Sequence, residues 1–322
     1  MRLIKPLKIL LLCSLTLSVQ SVQADSIDHW LDKMSQASQQ QNFQGTLVIR
    51  QQDKMQAIRV KQGVTSNGSW QTLESLTGED QTIIRHNNKV TTIFPAKKLV
   101  TISDELVGAL DKGPLHPALP DNRNALKKLY NLELSGQDRI ANKATQMIRM
   151  IPRDQHRYGY VFWLDQQSGL LLKCDLLDER GKVLEQLMYS DVELLSSTPN
   201  NSVDADALKT YRKVKLMDEP GVRQQNWQAS KLPPGFELIR AVKVSHKGRE
   251  MPTYHMVYSD GMASVSVFVE QRKAADKPVI GLSSMGPVNA YSSFMDSAYV
   301  TVIGEVPSAT VRMIAESIQP LN

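Results

Sequence analysis

Short apolar runs with the spacing of β-strands fill most of the first two thirds of the chain. They lie at residues 45–50, 57–61, 82–86, 90–94, 99–102, 131–134, 143–151, 159–164, 170–177 and 183–195. Turn residues separate them, among them Asn87 with Asn88 and the Gly-terminated turns 165–169 and 178–181. Many short strands joined by turns of hairpin length predict an antiparallel sheet that is curved or barrel-like.

Three segments show the three- and four-residue spacing of amphipathic helices instead. Their apolar positions are Ile27, Trp30, Leu31 and Met34 in the first, Leu126 and Leu129 in the second, and Val311, Ile314, Ala315 and Ile318 in the third. Pro307 opens the third helix, because proline is tolerated in a first helical turn. The fold class predicted from both patterns is mainly β with some α structure.

The pattern changes after residue 196, where a polar stretch containing Pro199 predicts a domain boundary. Residues 205–216 fit either a linker or a helix. Further on, residues 264–270 alternate between valine on one side and Ser264, Ser266 and Phe268 on the other, which predicts a half-buried strand. Residues 281–286 have the composition of a flexible loop.

The first twenty-four residues have the features of a secretory signal peptide. Arg2, Lys5 and Lys8 precede an apolar stretch at 9–19, which is shorter than the ~20 residues needed to span a bilayer. Small residues before the end of this segment predict cleavage between Ala24 and Asp25. We therefore expect a periplasmic protein with a signal peptide at 1–24, a larger β domain at 25–196, a linker at 197–218 and a smaller α+β domain at 219–322.

Charge and cysteine content narrow the function classes. The signal segment holds three of the 38 basic residues and none of the 33 acidic ones, so the net charge falls from +5 to +2. This near balance gives no support for a nucleic-acid partner, which is usually met by a concentrated basic patch. Cys174 is the one cysteine after the signal segment, so no intramolecular disulfide is expected, and its strand-like surroundings predict a buried thiol.

Catalytic and metal-binding motifs are absent from the sequence. It contains no HExxH, CxxC or GxSxG, and its six histidines show no ligand spacing. Clustering of Ser259, Asp260 and His255 in space would revive a hydrolase, since distant residues can assemble a triad. The sequence itself predicts no enzyme, no cofactor and no metal.

The strands at 161–164 and 170–172 are apolar on both faces, so both faces must be covered. A ligand cavity inside a curved sheet, the helices of the domain, or the second domain would each provide that cover. For a lipid cavity, we predict a lining of Leu47, Ile49, Phe162, Leu164, Leu170 and Leu172, although the sequence does not decide which strand face points inward.

Ordered sequence fragments over most of the chain resemble the RseB/MucB family. In the first domain these are residues 42–46, 74–78, 160–165, 168–172, 175–178 and 184–186, and in the second domain 232–236, 258–261 and 302–307. Each fragment alone is a common strand or turn sequence, whereas their order and spacing together are specific. The segments 247–251 and 272–285 match no family pattern, and we expect differences in partner specificity there.

The resemblance implies a first domain similar to the lipoprotein carriers, an unclosed antiparallel β-barrel with helices across its opening. It further implies a periplasmic negative regulator of the sigma-E envelope stress response. Such a regulator binds the periplasmic segment of a membrane anti-sigma factor and shields it from proteolysis until a lipid signal, lipopolysaccharide or mislocalised lipoprotein, releases it. A plain lipid or lipoprotein carrier is the alternative, and a homodimer is left open.

Overall fold

The computed structural model describes residues 26–66, 68–86, 89–104, 119, 123–200, 207–216, 226–244, 252–271, 279–295 and 298–321. The predicted signal peptide and its cleavage site at Ala24 and Asp25 lie outside these residues, as does the turn at Asn87 and Asn88. Among the helices in the described ranges, none has the length and apolar character needed to cross a bilayer.

Twelve strands form one large sheet in the first part of the chain. They are β1 (Phe43–Gln51), β2 (Lys54–Thr65), β3 (Gly68–Ser75), β4 (Thr82–His86), β5 (Lys89–Phe94), β6 (Leu99–Asp104), β7 (Tyr130–Ile140), β8 (Lys143–Pro152), β9 (Gly159–Asp165), β10 (Leu171–Leu177), β11 (Val183–Leu194) and β12 (Arg212–Leu216). Their order is β12-β6-β5-β4-β3-β2-β1-β11-β10-β9-β8-β7, so the sheet has two outer strands that do not pair with each other. The predicted unclosed antiparallel sheet is confirmed, with β12 as a parallel addition beside β6.

Two helices cover part of this sheet. Ser26 caps α1 (Ile27–Gln40), since its hydroxyl accepts a hydrogen bond from the His29 backbone N–H. The second helix, α2 (Arg123–Leu129), leads directly into β7. The buried apolar residues of both helices, except Ala37, join those of β8, β9 and β10 in one core. We call this core the helix-side cluster: Trp30, Leu31, Met34, Leu126, Leu129, Ile148, Phe162, Leu164, Leu171 and Cys174 among others.

The second domain contains a six-stranded sheet, a helix and a small two-stranded sheet. The six strands are β14 (Glu237–Val244), β15 (Thr253–Ser259), β16 (Ser264–Gln271), β17 (Gly281–Met285), β18 (Val288–Met295) and β19 (Ala298–Gly304), in the order β14-β15-β16-β19-β18-β17. The helix α3 (Ser308–Ala315) follows Pro307 as predicted and packs on β18 and β19. Strands β13 (Trp227–Ala229) and β20 (Ile318–Pro320) pair beside it. Ile318 was predicted as part of the helix, but it lies in β20 because the helix ends at Ala315 and the chain then pairs with β13.

Three other local predictions were wrong. The segment predicted as linker or helix contains strand β12, because its residues complete the hydrogen bonding of β6. The predicted loop at 281–286 contains strand β17, which pairs with β18. The strand at 264–270 was predicted to be half-buried, but Ser264 and Ser266 on its polar side are buried in β16. Polar side chains of β15 contact both residues: Ser259 Oγ accepts a hydrogen bond from Ser264 Oγ, and His255 Nε2 lies 3.2 Å from Ser266 Oγ.

Candidate functional site

A buried arginine joins the two domains. Arg157 lies in the loop between β8 and β9 and is 1% exposed. Its Nη1 donates to Oδ2 of Asp260 in the second domain, and its Nη2 donates to the carbonyl oxygen of Pro234, also in the second domain, at 2.6 Å. The guanidinium also donates to Asp154 on the same loop. Its Nε donates to Oδ1 of Asp154 at 3.1 Å, and its Nη2 donates to Oδ2 at 3.0 Å. Arg157 therefore binds one carboxylate from each domain. We call the region around Arg157, where the two domains meet, the domain junction.

Aromatic rings from both domains flank this guanidinium. Its central carbon lies 5.9 Å from the ring centre of Tyr130 and 5.7 Å from that of Phe236. Burial of Asp154 by itself raises the pKa of its carboxyl, but the hydrogen bonds from Arg157 and from the His156 backbone outweigh burial and lower the pKa. Asp154 thus stays ionised in the junction, where its negative charge stabilises the positive charge of Arg157.

A tight turn positions Asp260 for this contact. The turn lies between β15 and β16, and Gly261 adopts a φ of +91° within it. The Oδ1 atom of Asp260 accepts hydrogen bonds from the backbone N–H groups of Met262 and Ala263 at 2.9 and 2.8 Å. The carboxylate is therefore held by its own turn through one oxygen and presents the other to Arg157.

Tyr158 forms a second contact across the junction. Its hydroxyl donates to the carbonyl oxygen of Pro287 at 3.1 Å and accepts from Nδ2 of Asn289 at 2.9 Å. The same amide nitrogen donates to the carbonyl oxygen of Val306 at 2.7 Å. Burial raises the pKa of Tyr158 to about 12, so the hydroxyl keeps its proton and remains a donor.

Two further contacts enlarge the junction. The Thr310 hydroxyl at the start of α3 donates to the carbonyl oxygen of His156 at 2.9 Å. Gly235 lies so close to the Leu129 side chain that a Cβ at position 235 would be 2.9 Å from both methyl carbons. Leu129 ends α2, so the helix that covers the first domain's core also contacts the second domain.

A carboxyl group of the first domain raises the pKa of a carboxyl group of the second domain at the edge of the junction. Glu305 follows β19, and Glu185 lies on β11, where its carboxylate accepts a hydrogen bond from Gln51. Burial, together with a smaller contribution from the negative charge of Glu185, raises the pKa of Glu305 to about 7. Burial also raises the pKa of Glu185, against the hydrogen bond from Gln51.

A partly open pocket of about 460 Å³ lies beside this junction. Its walls come from the end of β8, the loop that carries Arg157, and the turn between β10 and β11. Apolar and charged side chains share its lining, including Ile151, Tyr160, Leu177, Arg149 and Arg153. None of the six residues predicted to line a lipid cavity borders this pocket.

The six predicted lining residues are all buried, but the structure divides them between two clusters. Phe162 and Leu164 belong to the helix-side cluster. A second core, which we call the sheet cluster, contains the other four with residues such as Phe43, Val60, Trp163 and Tyr189: Leu47, Ile49, Leu170 and Leu172. The prediction that all six line one lipid cavity therefore stays a prediction.

The residues considered for catalysis have other partners. Asp260 binds Arg157, His255 stacks on Phe268 at 4.4 Å between ring centres, and the Ser259 hydroxyl donates to the carbonyl oxygen of Ala263 at 2.8 Å. Across the described ranges, no three His, Cys, Asp or Glu residues are grouped as metal ligands would be. Cys174 is buried as predicted, and burial raises the pKa of its thiol.

Sequence reasoning missed the junction itself. Arg157, Asp154, Tyr158 and Asn289 carry no motif, and their partners lie up to 131 residues away. One signal was available, because all three second-domain fragments behind the family resemblance meet here. Segment 232–236 contributes a carbonyl oxygen and the Phe236 ring, 258–261 contributes Asp260, and 302–307 contributes Glu305 and the Val306 carbonyl oxygen.

Comparison with known families assigns both parts of the chain. Residues 26–209 match the family described as MucB/RseB N-terminal domain, and residues 222–319 match MucB/RseB C-terminal domain. The sigma factor AlgU regulatory protein MucB of Pseudomonas aeruginosa is 30% identical over 319 residues, which cover 97% of this chain and 96% of that protein. The sigma-E factor regulatory protein RseB of Haemophilus influenzae is 29% identical over 94% of both chains.

Solved structures show the same similarity. A crystal structure of MucB in complex with MucA(peri) covers 92% of this chain and all of that chain, with a TM-score of 0.69 and 28% identity. The complex structure of Pseudomonas aeruginosa MucA/MucB covers 91% of this chain and 98% of that one, with a TM-score of 0.71 and 30% identity.

Proposed function

The chain belongs to the MucB/RseB family, and from this premise we propose that it is a periplasmic negative regulator that binds the periplasmic segment of a membrane anti-sigma factor. The observation that carries the proposal is similarity along both domains to MucB, which has been solved in complex with MucA(peri). Bound to the segment, the chain shields it from regulated proteolysis and so keeps the sigma factor inactive.

The buried junction supports a role in binding. Arg157 and Tyr158 fix the second domain to the first through hydrogen bonds that water does not reach. Holding two domains in one arrangement lets a partner segment contact both without first ordering them, which reduces the entropic cost of association. We propose that the chain acts through such binding and not through catalysis.

We further propose that a lipid signal, lipopolysaccharide or mislocalised lipoprotein, releases the partner. Acyl chains would enter the interior of the first domain beside Phe162 and Leu164, beneath α1 and α2. Burial of each methylene contributes ~0.8 kcal/mol, so an acyl chain can displace part of the helix cover. Leu47, Ile49, Leu170 and Leu172 extend the proposed lining into the sheet cluster.

The helix α2 provides a route from that interior to the second domain. Leu126 packs in the helix-side cluster, and Leu129 at the end of α2 lies against Gly235. The next residue, Tyr130, lies against the Arg157 guanidinium. Lipid that shifts α2 would therefore disturb two contacts of the junction. By linkage, a lipid that weakens partner binding is itself bound more weakly when the partner is present.

The proposal is tested by binding of purified residues 25–322 to the periplasmic segment of the cognate anti-sigma factor, with and without lipopolysaccharide. We expect tight binding that lipopolysaccharide reverses, together with protection of the segment from its protease. Binding that lipopolysaccharide does not change would contradict lipid-driven release but leave the protection from proteolysis in place. No binding, with acyl-chain transfer to an acceptor instead, would establish the alternative of a periplasmic lipid or lipoprotein carrier.

A further inference from the structure

The pocket beside the domain junction has an apolar floor. All of its lining residues lie within 149–181, a continuous stretch of the first domain. Gly159, the first residue of β9, pairs with Leu177 of β10. A Cβ at position 159 would be 3.3 Å from Cδ of Pro152 and 3.7 Å from Cβ of Leu177. The floor between these two apolar side chains therefore carries no side chain of its own.

The wall on the β8 side is positively charged. Arg149 lies on β8, and Arg153 follows the end of that strand. Nε of Arg153 donates to the carbonyl oxygens of Lys127 and Tyr130 at 3.1 and 3.3 Å, which fixes the guanidinium and leaves the donors of Nη1 and Nη2 for another acceptor. Among the described residues, none forms a hydrogen bond or ion pair with the Arg149 side chain.

The opposite wall is negatively charged. It is formed by the turn after β10, which contains Asp178 and Glu179. Oδ1 of Asp178 accepts hydrogen bonds from the backbone N–H groups of Arg180 and Lys182 at 2.9 and 2.8 Å, so the turn has a fixed shape. Glu179 is exposed beside it, and within the described ranges its carboxylate has no hydrogen-bond or ion-pair partner.

The remaining charges of the lining compensate each other. Arg157 and Asp154 also border the pocket, and they form an ion pair with a distance of 3.0 Å between Nη2 and Oδ2. The two walls thus keep opposite signs, with a positive side at β8 and a negative side after β10. A ligand that matches this arrangement carries a negative group at one end, a positive group at the other and an apolar group between them.

Strand spacing sets the length of such a ligand. β8, β9 and β10 are neighbours in the sheet, so the walls are two strand spacings apart, or about 10 Å. An extended peptide spans ~3.3–3.6 Å for each residue, so about three residues separate its two terminal charges by that distance. The volume of about 460 Å³ lies within the range of roughly 300–1,000 Å³ that is usual for small-ligand pockets.

We propose that this pocket binds a short peptide of about three residues that has free termini and an apolar side chain. Its carboxylate binds Arg149 and Arg153, its ammonium group binds Glu179, and its apolar side chain covers Gly159. Charge-assisted hydrogen bonds at both ends supply the affinity. They also exclude an internal segment of a longer chain, which has no terminal charges, so this site is separate from the binding of an anti-sigma factor.

The tripeptide alanyl-leucyl-alanine tests the site by isothermal titration calorimetry on residues 25–322. The same peptide with an acetylated amino end, and the same peptide with an amidated carboxyl end, each lack one terminal charge. We expect saturable binding of the free tripeptide and at least about tenfold weaker binding of each blocked form, because each has lost charge-assisted hydrogen bonds. Free leucine should also bind at least about tenfold more weakly, because its charges are too close together to contact both walls.

Two substitutions assign each end of the peptide to its wall. Arg149→Gln should reduce the effect of amidation at least about threefold and leave the effect of acetylation unchanged. Glu179→Gln should do the reverse. Arg180→Gln is the matched control, because Arg180 is exposed in the same turn but does not line the pocket, and it should change neither effect.

Amide chemical shifts locate the peptide without any substitution. Saturating tripeptide should shift the signals of Gly159 and Leu177 and leave those of β14 in the second domain unchanged. Absence of saturable binding, or equal affinity for the free and blocked peptides, would overturn the proposal. Saturable binding that leaves Gly159 unshifted and is unaffected by Arg149→Gln and Glu179→Gln would place the peptide elsewhere and also overturn it. None of these outcomes bears on the proposed function, since no anti-sigma segment is present in the test.

Discussion

The guanidinium of Arg157 and the carboxylate of Asp260 meet in the domain junction, although 103 residues separate them in sequence. Both side chains are fully buried. A buried ion pair has a large desolvation cost, which favourable geometry and further hydrogen bonds offset. Here Asp154, the Pro234 carbonyl oxygen and the turn around Asp260 supply those bonds, so the pair is stable only in this arrangement of the two domains.

Replacing Arg157 should therefore destabilise the chain more than replacing an arginine of a surface ion pair. Arg157→Met leaves the Asp260 carboxylate buried without its partner, which typically costs ~3–5 kcal/mol. Arg59→Met is the matched control, because Arg59 forms a half-exposed ion pair with Glu74 whose loss costs at most ~1 kcal/mol. Urea unfolding measures both free energies. A loss for Arg157→Met no greater than that for Arg59→Met would contradict a closed junction.

The contact between Gly235 and Leu129 makes a second prediction. Gly235→Ala should cost more than Gly181→Ala, although both glycines have left-handed φ angles, of +82° and +77°. Alanine in that conformation costs ~1–2 kcal/mol at either site, but only at position 235 does its Cβ meet the Leu129 side chain. Overpacking should add ~1–3 kcal/mol there.

A double-mutant cycle with Leu129→Ala separates overpacking from backbone strain. Removing the Leu129 side chain frees the space that the new Cβ needs, so the two substitutions should couple by ~1 kcal/mol or more. Additive effects on the unfolding free energy would show that the second domain does not rest on α2 in solution.

The sequence was informative about the fold wherever local pattern decides structure. The apolar positions Val311, Ile314 and Ala315 identified α3, although the predicted stripe wrongly continued to Ile318. The hairpin-length turns identified most strands, because period and turn chemistry act over a few residues. It failed at β12, which pairs with the distant strand β6, and at β17, whose glycine and serine residues are typical of a loop although the segment forms a hairpin with β18. Ser266 shows the same limit, since its burial depends on His255 across the ladder.

The candidate site was harder to predict from the sequence for the same reason. Cys174 could be assigned to the core from its own neighbours, and Phe162 and Leu164 are buried as their apolar run implied. Arg157 could not be identified from its neighbours in sequence, because the Asp260 carboxylate and the Pro234 carbonyl oxygen come from the other domain. The division of the six apolar residues between two clusters depends on strand register. Leu164 pairs with Leu171, so Leu170 and Leu172 point to the opposite face of the sheet, and no local pattern encodes that pairing.

Stability should fall as pH rises through neutrality because of Glu305. Its folded-state pKa of about 7 lies above its ordinary value, so its contribution is fully present below about pH 4.5 and is lost as pH rises through 7. Allowing for the solvent that reaches this half-buried group, the loss is of the order of 1–2 kcal/mol.

Urea unfolding at pH 5 and pH 8 measures this effect. Glu305→Gln should flatten the difference, whereas Glu193→Gln, at an exposed site on β11, should preserve it. An unaltered pH dependence in Glu305→Gln would assign the titration to another group, with Glu185 as the next to replace.

The Cys174 thiol should be inert in the folded chain. It is buried in the helix-side cluster, and burial raises its pKa, so little thiolate is present and reagents cannot reach it. In residues 25–322, iodoacetamide labelling at pH 8 should be at least ~100-fold slower without urea than with it, because labelling requires opening of the core. Rapid labelling, or a disulfide-linked dimer that reducing agent converts to monomer, would place the thiol at the surface.

Leu126→Ala and Leu47→Ala should distinguish the two clusters as the entry point for acyl chains. Leu126→Ala opens space beneath α2 beside Phe162 and Leu164, and Leu47→Ala opens space in the sheet cluster. Both should lower stability by ~2–5 kcal/mol, since each removes a fully buried side chain. If lipid acts through α2, only Leu126→Ala should bind a fluorescent fatty acid more tightly, and only that variant should release the anti-sigma segment at lower lipid concentration. Tighter fatty-acid binding by Leu47→Ala alone would move the lipid site to the sheet cluster and remove α2 from the release pathway.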